Sequence, residues 1–121
     1  MKRNAFLKEE RLRKYDQIKD IFRTGTPIKG RFLKLYIHKR DDGLPKKRVA
    51  FVISKRLCNK NSVLRNRYRR LLREAYRLNK HVLNRPLDIV ILAQSLQENT
   101  RGPEVQKDLE NVFKKFIKKS D

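Results

Sequence analysis

The chain predicts an α+β fold: a single domain running helix, strands, helix, strand, helix around one four-stranded mixed sheet. Three observations carry that expectation. With 121 residues there is enough chain for one domain with a modest core. Apolar residues alternate over 31–38 and 48–54 but recur at three-to-four spacing over 15–23, 62–79 and 103–119, so both periods are present. Leu87–Ala93 is apolar on both faces, as a buried central strand must be. The domain is therefore expected to span 1–121, with 1–14 as a basic, extended arm.

Tyr15–Arg23 reads as a short helix, since Ile18, Ile21 and Phe22 share one face and Gly25 can end it. Thr26–Gly30 fits a short edge strand, the one place where Pro27 is tolerated. In the strand Arg31–His38, Leu33, Leu35 and Ile37 face one way, while Phe32, Lys34, Tyr36 and His38 face the other. Asp41-Asp42-Gly43-Leu44-Pro45 is a turn cluster, after which Arg48–Ser54 is expected to return as the antiparallel partner. Its core face is Val49, Phe51 and Ile53. Cys58–Asn61 then reads as a polar loop, with Ser62 the expected N-cap of a helix reaching about Asn79. Pro86 breaks the chain before the central strand, and Gln94–Gly102 is a loop. Pro103 and Glu104 suit the first turn of a last helix, which carries lysines toward its C-terminus.

Charge says most about partners. Lysine and arginine number 33 against 13 acids, a formal net charge of +20. A polyanion is the expected partner, because uncompensated like charge destabilises a compact chain. The densest segment is Ser62–Arg77, where Arg65, Arg67, Arg69, Arg70, Arg73 and Arg77 face a single acid, Glu74. On a helical wheel Leu64, Tyr68, Leu71, Leu72, Ala75 and Leu78 make an apolar stripe, and the arginines take the remaining arc with Asn66 in its middle. Such a ridge suits phosphates of folded RNA, which arginine binds bidentately. The outward strand face is a second candidate. Phe32, Lys34, Tyr36 and His38 alternate aromatic and cationic groups beside the small Ala50 and Ser54, a pattern that can stack unpaired bases or simply pack beneath Phe22.

Protein-borne catalysis finds no support. His38 and His81 have no ligand spacing, Asp41 and Asp42 are turn formers, and Cys58 has no adjacent base. The four glycines make no phosphate loop. No catalytic or metal-binding residue is assigned. No run is long enough for a signal peptide or membrane span, and the lone cysteine fits a reducing compartment, so the cytoplasm is expected.

Arg65-Asn66-Arg67, continuing through Tyr68-Arg69-Arg70-Leu71-Leu72-Arg73-Glu74-Ala75-Tyr76-Arg77, resembles the signature helix of the bacterial ribonuclease P protein family. Val52-Ile53-Ser54-Lys55-Arg56 resembles the strand end before that helix. Arg11-Leu12 and Ile18…Phe22-Arg23-Thr24-Gly25 resemble the opening helix, and Leu87–Ala93 the late strand. The family commonly has a glycine shortly before Asn-Ala-Val; Cys58-Asn59-Lys60-Asn61-Ser62-Val63 lacks it and is a little longer. An aromatic frequent in the first helix corresponds to Ile18.

The resemblance implies a basic subunit that binds a catalytic RNA and helps it remove the 5′ leader of precursor tRNA by hydrolysis. Arg65, Asn66, Arg67, Arg69, Arg70 and Arg73 would contact the RNA subunit. Phe22, Tyr36, Lys55, Ile18, Phe32, Lys34 and Arg56 would line a cleft for the leader. Mg²⁺ would be held mainly by RNA and substrate, catalysis would belong to the RNA subunit, and no protein or membrane partner would be needed. The resemblance also implies a left-handed strand–helix–strand crossover, against the usual rule. Two other readings fit the charge: a non-catalytic RNA-binding module, such as a ribosomal or chaperone protein, and an architectural protein laying the arginine helix in a DNA groove.

Overall fold

The computed structural model describes residues 15–40, 47–59, 61–83 and 85–120. The expected arm at 1–14, with Arg11 and Leu12, and the turn at Asp41–Pro45 lie outside them. The elements are α1 (Tyr15–Thr24), β1 (Thr26–Lys29), β2 (Leu33–Lys39), β3 (Arg48–Ile53), α2 (Lys55–Cys58), α3 (Ser62–Asn79), β4 (Leu87–Ala93) and α4 (Gly102–Ser120). A 3₁₀ turn, Lys80–Val82, follows α3.

The four strands form one mixed sheet in the order β1-β2-β4-β3. β4 pairs antiparallel with β2 and parallel with β3. The expected β2–β3 hairpin is therefore wrong, for β4 lies between them. Its two apolar faces explain the order. Leu87, Ile89, Val90 and Ile91 have no exposed surface, which only a central strand covered on both sides can achieve. Parallel pairing then requires a crossover from the end of β3 to the start of β4, and α2 and α3 supply it.

The main core lies between the sheet and the α3–α4 pair. Leu33, Leu35, Ile37, Val49, Ile89 and Ile91 meet Tyr68, Leu72, Tyr76, Leu109 and Phe113 there. On the opposite face Ile21 of α1 closes over Ala50 and Val90. The buried arc of α3 is rotated from the expected stripe: Tyr76 and Asn79 are buried, whereas Leu64, Leu71 and Leu78 are only half-buried. Asn79 explains the rotation, since its Nδ2 donates to the carbonyls of Ala75 and, across the interface, Gln106 of α4 (both 3.0 Å).

The segment before α3 also differs from the expected loop. Lys55–Cys58 is a helical turn capped by Ser54, whose side chain accepts from Leu57 N. Cys58 is fully buried, and its thiol donates to the Ser54 carbonyl. Asn59 adopts φ 48°, the left-handed conformation in which asparagine is the best substitute for glycine. Asn61, not Ser62, caps α3 through its side-chain oxygen and Leu64 N (3.1 Å).

Two buried carboxylates tie the layers. Asp88 in β4 receives Arg48 bidentately at 2.8 and 2.9 Å, with Arg40 at 3.7 Å. Asp108 in α4 accepts from the backbone N–H groups of Arg31, Phe32 and Leu33 at 2.7, 2.8 and 3.1 Å. That grip holds Arg31 and Phe32 in a turn, so β2 begins at Leu33 rather than at residue 31. Gly30 must be a glycine because a Cβ would sit 2.7 Å from both the Asp108 carboxylate and a Val112 methyl. Asp108→Ala should lower unfolding stability by about 2–4 kcal/mol in urea, because three N–H groups lose a charged acceptor. Asp108→Asn, which keeps one acceptor oxygen, should lose less.

Candidate nucleic-acid interface

The exposed arc of α3 carries Asn66, Arg67, Arg69, Arg70 and Arg73. The helix's single acid is already engaged, since Glu74 accepts from Arg77 one turn on. That hydrogen bond holds the Glu74 carboxyl below its usual range and raises Arg77. Among the described residues no carboxylate pairs with Arg67, Arg69, Arg70 or Arg73. They form a ridge of uncompensated guanidiniums, separate from the sheet's other face.

Arg65 departs from the expected arc. It lies beside the buried positions, is half-buried, and its Nε is inaccessible with no hydrogen-bond partner. Beneath the ridge Tyr68 is 2% exposed and anchors the helix in the core. Burial pushes its phenol above the usual value of 10.0; Glu98 and Cys58 push the same way, and Arg67 opposes them.

Across the sheet, α1 covers part of β2, β4 and β3. The strand register explains which part. Pairing sets Tyr36, Val90 and Ala50 side by side in one row, with Lys34, Leu92 and Val52 in the next row on the same face. Ile21 seals Val90 and Ala50 of the first row, and Ile18, Phe22, Tyr36 and Val52 pack against this cluster but remain partly exposed. Phe22 meets Tyr36 edge to face at 4.8 Å, and Lys34 Nζ lies 5.2 Å from the Tyr36 ring centroid. Beyond the covered row, half-exposed Leu92 opens onto a groove of about 610 Å³ lined also by Lys29, Ser54, Arg56, Leu57 and Gln94.

Six of the seven expected cleft residues thus lie on or beside this face: Ile18, Phe22, Lys34 and Tyr36 around α1, and exposed Lys55 and Arg56 on α2. Phe32 does not. It packs against the main core beside α4, where Asp108 holds its backbone. Strand alternation assigned it to the wrong face because residue 32 precedes the strand. Sequence reasoning missed Leu92, which the strand register sets in the row beyond the covered one, and Leu57 of α2, both half-buried in the groove. Among the described residues, no three histidine, cysteine or carboxylate side chains gather into a group that could hold a metal ion. No described helix is long and apolar enough to cross a membrane.

The family model described as Ribonuclease P matches residues 6–117. The chain belongs to the ribonuclease P protein family. The ribonuclease P protein component of Clostridium acetobutylicum is 32% identical over 109 residues, covering 90% of each chain. That of Bacillus velezensis is 32% identical over 111 residues, covering 89% of this chain and 90% of the relative. Two solved ribonuclease P proteins share the fold at 25% identity. That of Staphylococcus aureus gives a TM-score of 0.74 over 88% of this chain and 94% of its own. The Thermotoga maritima protein gives 0.75 over 88% and 96%. The α+β layers and the open mixed sheet are therefore those of ribonuclease P proteins.

The anchoring of the ridge has a pH signature. A phenol whose pKa is raised by burial stabilises the fold fully below the unfolded-chain value near 10, and that contribution is lost as the pH rises from there through the folded value. Thermal melts at rising alkaline pH should therefore show wild-type stability falling above about pH 10. Tyr68→Phe should fall less steeply over the same range.

Proposed function

We propose that this chain is the protein subunit of ribonuclease P, with the α3 ridge binding the catalytic RNA and the α1 face receiving the 5′ leader of precursor tRNA. The observation that supports this most is the separation of two surfaces by one sheet. Uncompensated arginines lie on the α3 side, and half-exposed aromatics beside an open groove lie on the α1 side. Membership of the ribonuclease P protein family supports the same reading.

On this reading the ridge contributes charge. Arg67, Arg69, Arg70 and Arg73 meet phosphates of the RNA subunit and release counterions, which makes assembly strongly salt-dependent. Phe22 and Tyr36 offer ring faces and edges to unpaired leader bases, while Lys34, Lys55 and Arg56 track the backbone without reading its sequence. The chain's cations lower repulsion between catalytic RNA and precursor, and precursor is favoured over product because only precursor carries a leader. On the same reading Mg²⁺ is held mainly by RNA and substrate, and hydrolysis belongs to the RNA subunit.

Reconstitution with a transcribed RNA subunit, with the cut mapped on precursor tRNA, tests the reading. Cleavage at the mature 5′ end should need both components, and efficient cleavage by the chain without RNA would refute it. Two sets of variants separate the surfaces. Arg67→Ala or Arg70→Ala should weaken binding to the RNA subunit and reduce the salt slope by about 0.9 each. Tyr36→Ala should weaken leader-bearing precursor by about 1–3 kcal/mol in a binding titration, with RNA-subunit affinity unchanged.

A further inference from the structure

A third surface, outside the ridge and the leader face, runs along α4 on the flank turned away from α3. Three hollows of about 400, 470 and 410 Å³ lie end to end there. The first two share Arg31, Asp108 and Asn111, and the last two share Lys115 and Lys118. They make one furrow between α4 and the β1–β2 turn. From Pro103 to Lys119 it follows roughly 24 Å of helix, at about 1.5 Å per residue.

The acids of this region are consumed internally. The Asp108 carboxylate takes three backbone N–H groups, and Glu110 accepts from Lys107 (3.0 Å) and Lys114 (3.5 Å). Glu104 accepts from Arg101 N at the helix start (3.2 Å). Among the described residues no carboxylate is left for Lys29, Arg31, Lys118 or Lys119. At one end the Arg31 guanidinium lies 4.8 Å from the centroid of the half-exposed Phe32 ring, which gives a flat cationic platform.

We propose that this furrow holds one strand of RNA, its phosphates among Lys29, Lys115, Lys118 and Lys119 and a base against the Arg31–Phe32 pair. Charge complementarity demands a polyanion, and the platform favours one with bases. An acidic peptide fits less well. It would add to the β1 edge as a strand, but the Lys29 carbonyl already accepts from Lys115 Nζ (3.4 Å) and Pro27 has no N–H to offer. The aromatic displaced from the leader face thus acquires a role of its own.

The test uses the full chain and a labelled oligouridylate of about 20 nucleotides, with no RNA subunit present, so its outcome is independent of the reconstitution assay. Lys115→Ala/Lys118→Ala/Lys119→Ala should lower the salt slope by roughly 2, at about 0.7 per phosphate contact. The affinity lost between about 50 and 200 mM salt should then be roughly 16-fold smaller than in the wild type. Combining these changes with Arg67→Ala/Arg70→Ala should give additive losses. Lys118→Glu/Lys119→Glu, which leaves the Lys115 hydrogen bond in place, should weaken binding more than fivefold with an unchanged thermal melt. An unaltered slope in the lysine variants would overturn the proposal. So would polyglutamate displacing the RNA at equal charge concentration, which would assign the furrow to acidic protein.

Discussion

A strand that is apolar on both faces must be covered on both, and in this chain that strand is β4. Leu87, Ile89 and Ile91 lie under α3 and α4, while Val90 lies under Ile21 of α1. Placing β4 at the centre forces β2 and β3 apart, makes the β3–β4 pair parallel, and turns α3 into a crossover across one face. The arginine ridge and the aromatic face consequently sit on opposite sides of the sheet. The separation of these two surfaces follows from burying one heptapeptide.

A formal net charge of +20 is compatible with this fold because several acids sit where structure needs them. Asp88 is shared by two arginines, Asp108 gathers a backbone turn, and Glu74 and Glu110 pair locally along their helices. None of these carboxylates neutralises the α3 ridge. The surplus cations are left on surfaces, where repulsion is weakest in water and most easily relieved by a polyanion. Salt should therefore screen the exposed ridge far more than the buried pairs around Asp88.

Much of this was legible in the sequence. The bounds of β4 and of α3 followed from Pro86, the double-sided apolar run and the 3.6-residue period, all of them local signals. Strand pairing was not legible, because alternation says which face a residue takes but not which strand lies beside it. Phe32 was misplaced for a related reason: the hydrogen bonds that end the alternation come from Asp108, which is 76 positions away in the chain. Cys58 and Asn59 read as loop because a four-residue helix and a left-handed asparagine leave no periodic trace. The aromatic and cationic residues around α1 were recognised by type, but the groove beside them required Leu92, whose exposure depends on register.

The central position of β4 also sets the order in which the molecule can be completed. β1 and β2 can form a hairpin early, yet the strand that must lie against β2 begins only at Leu87, far downstream. Until it arrives, β2 offers an open edge and α1 has little to close upon. Pairing across such sequence separation is slow, because loop-closure entropy is lost before any contact compensates for it. During synthesis the arginine helix leaves the ribosome before the strand that secures it. The arginine ridge is therefore presented to its surroundings before the fold has closed.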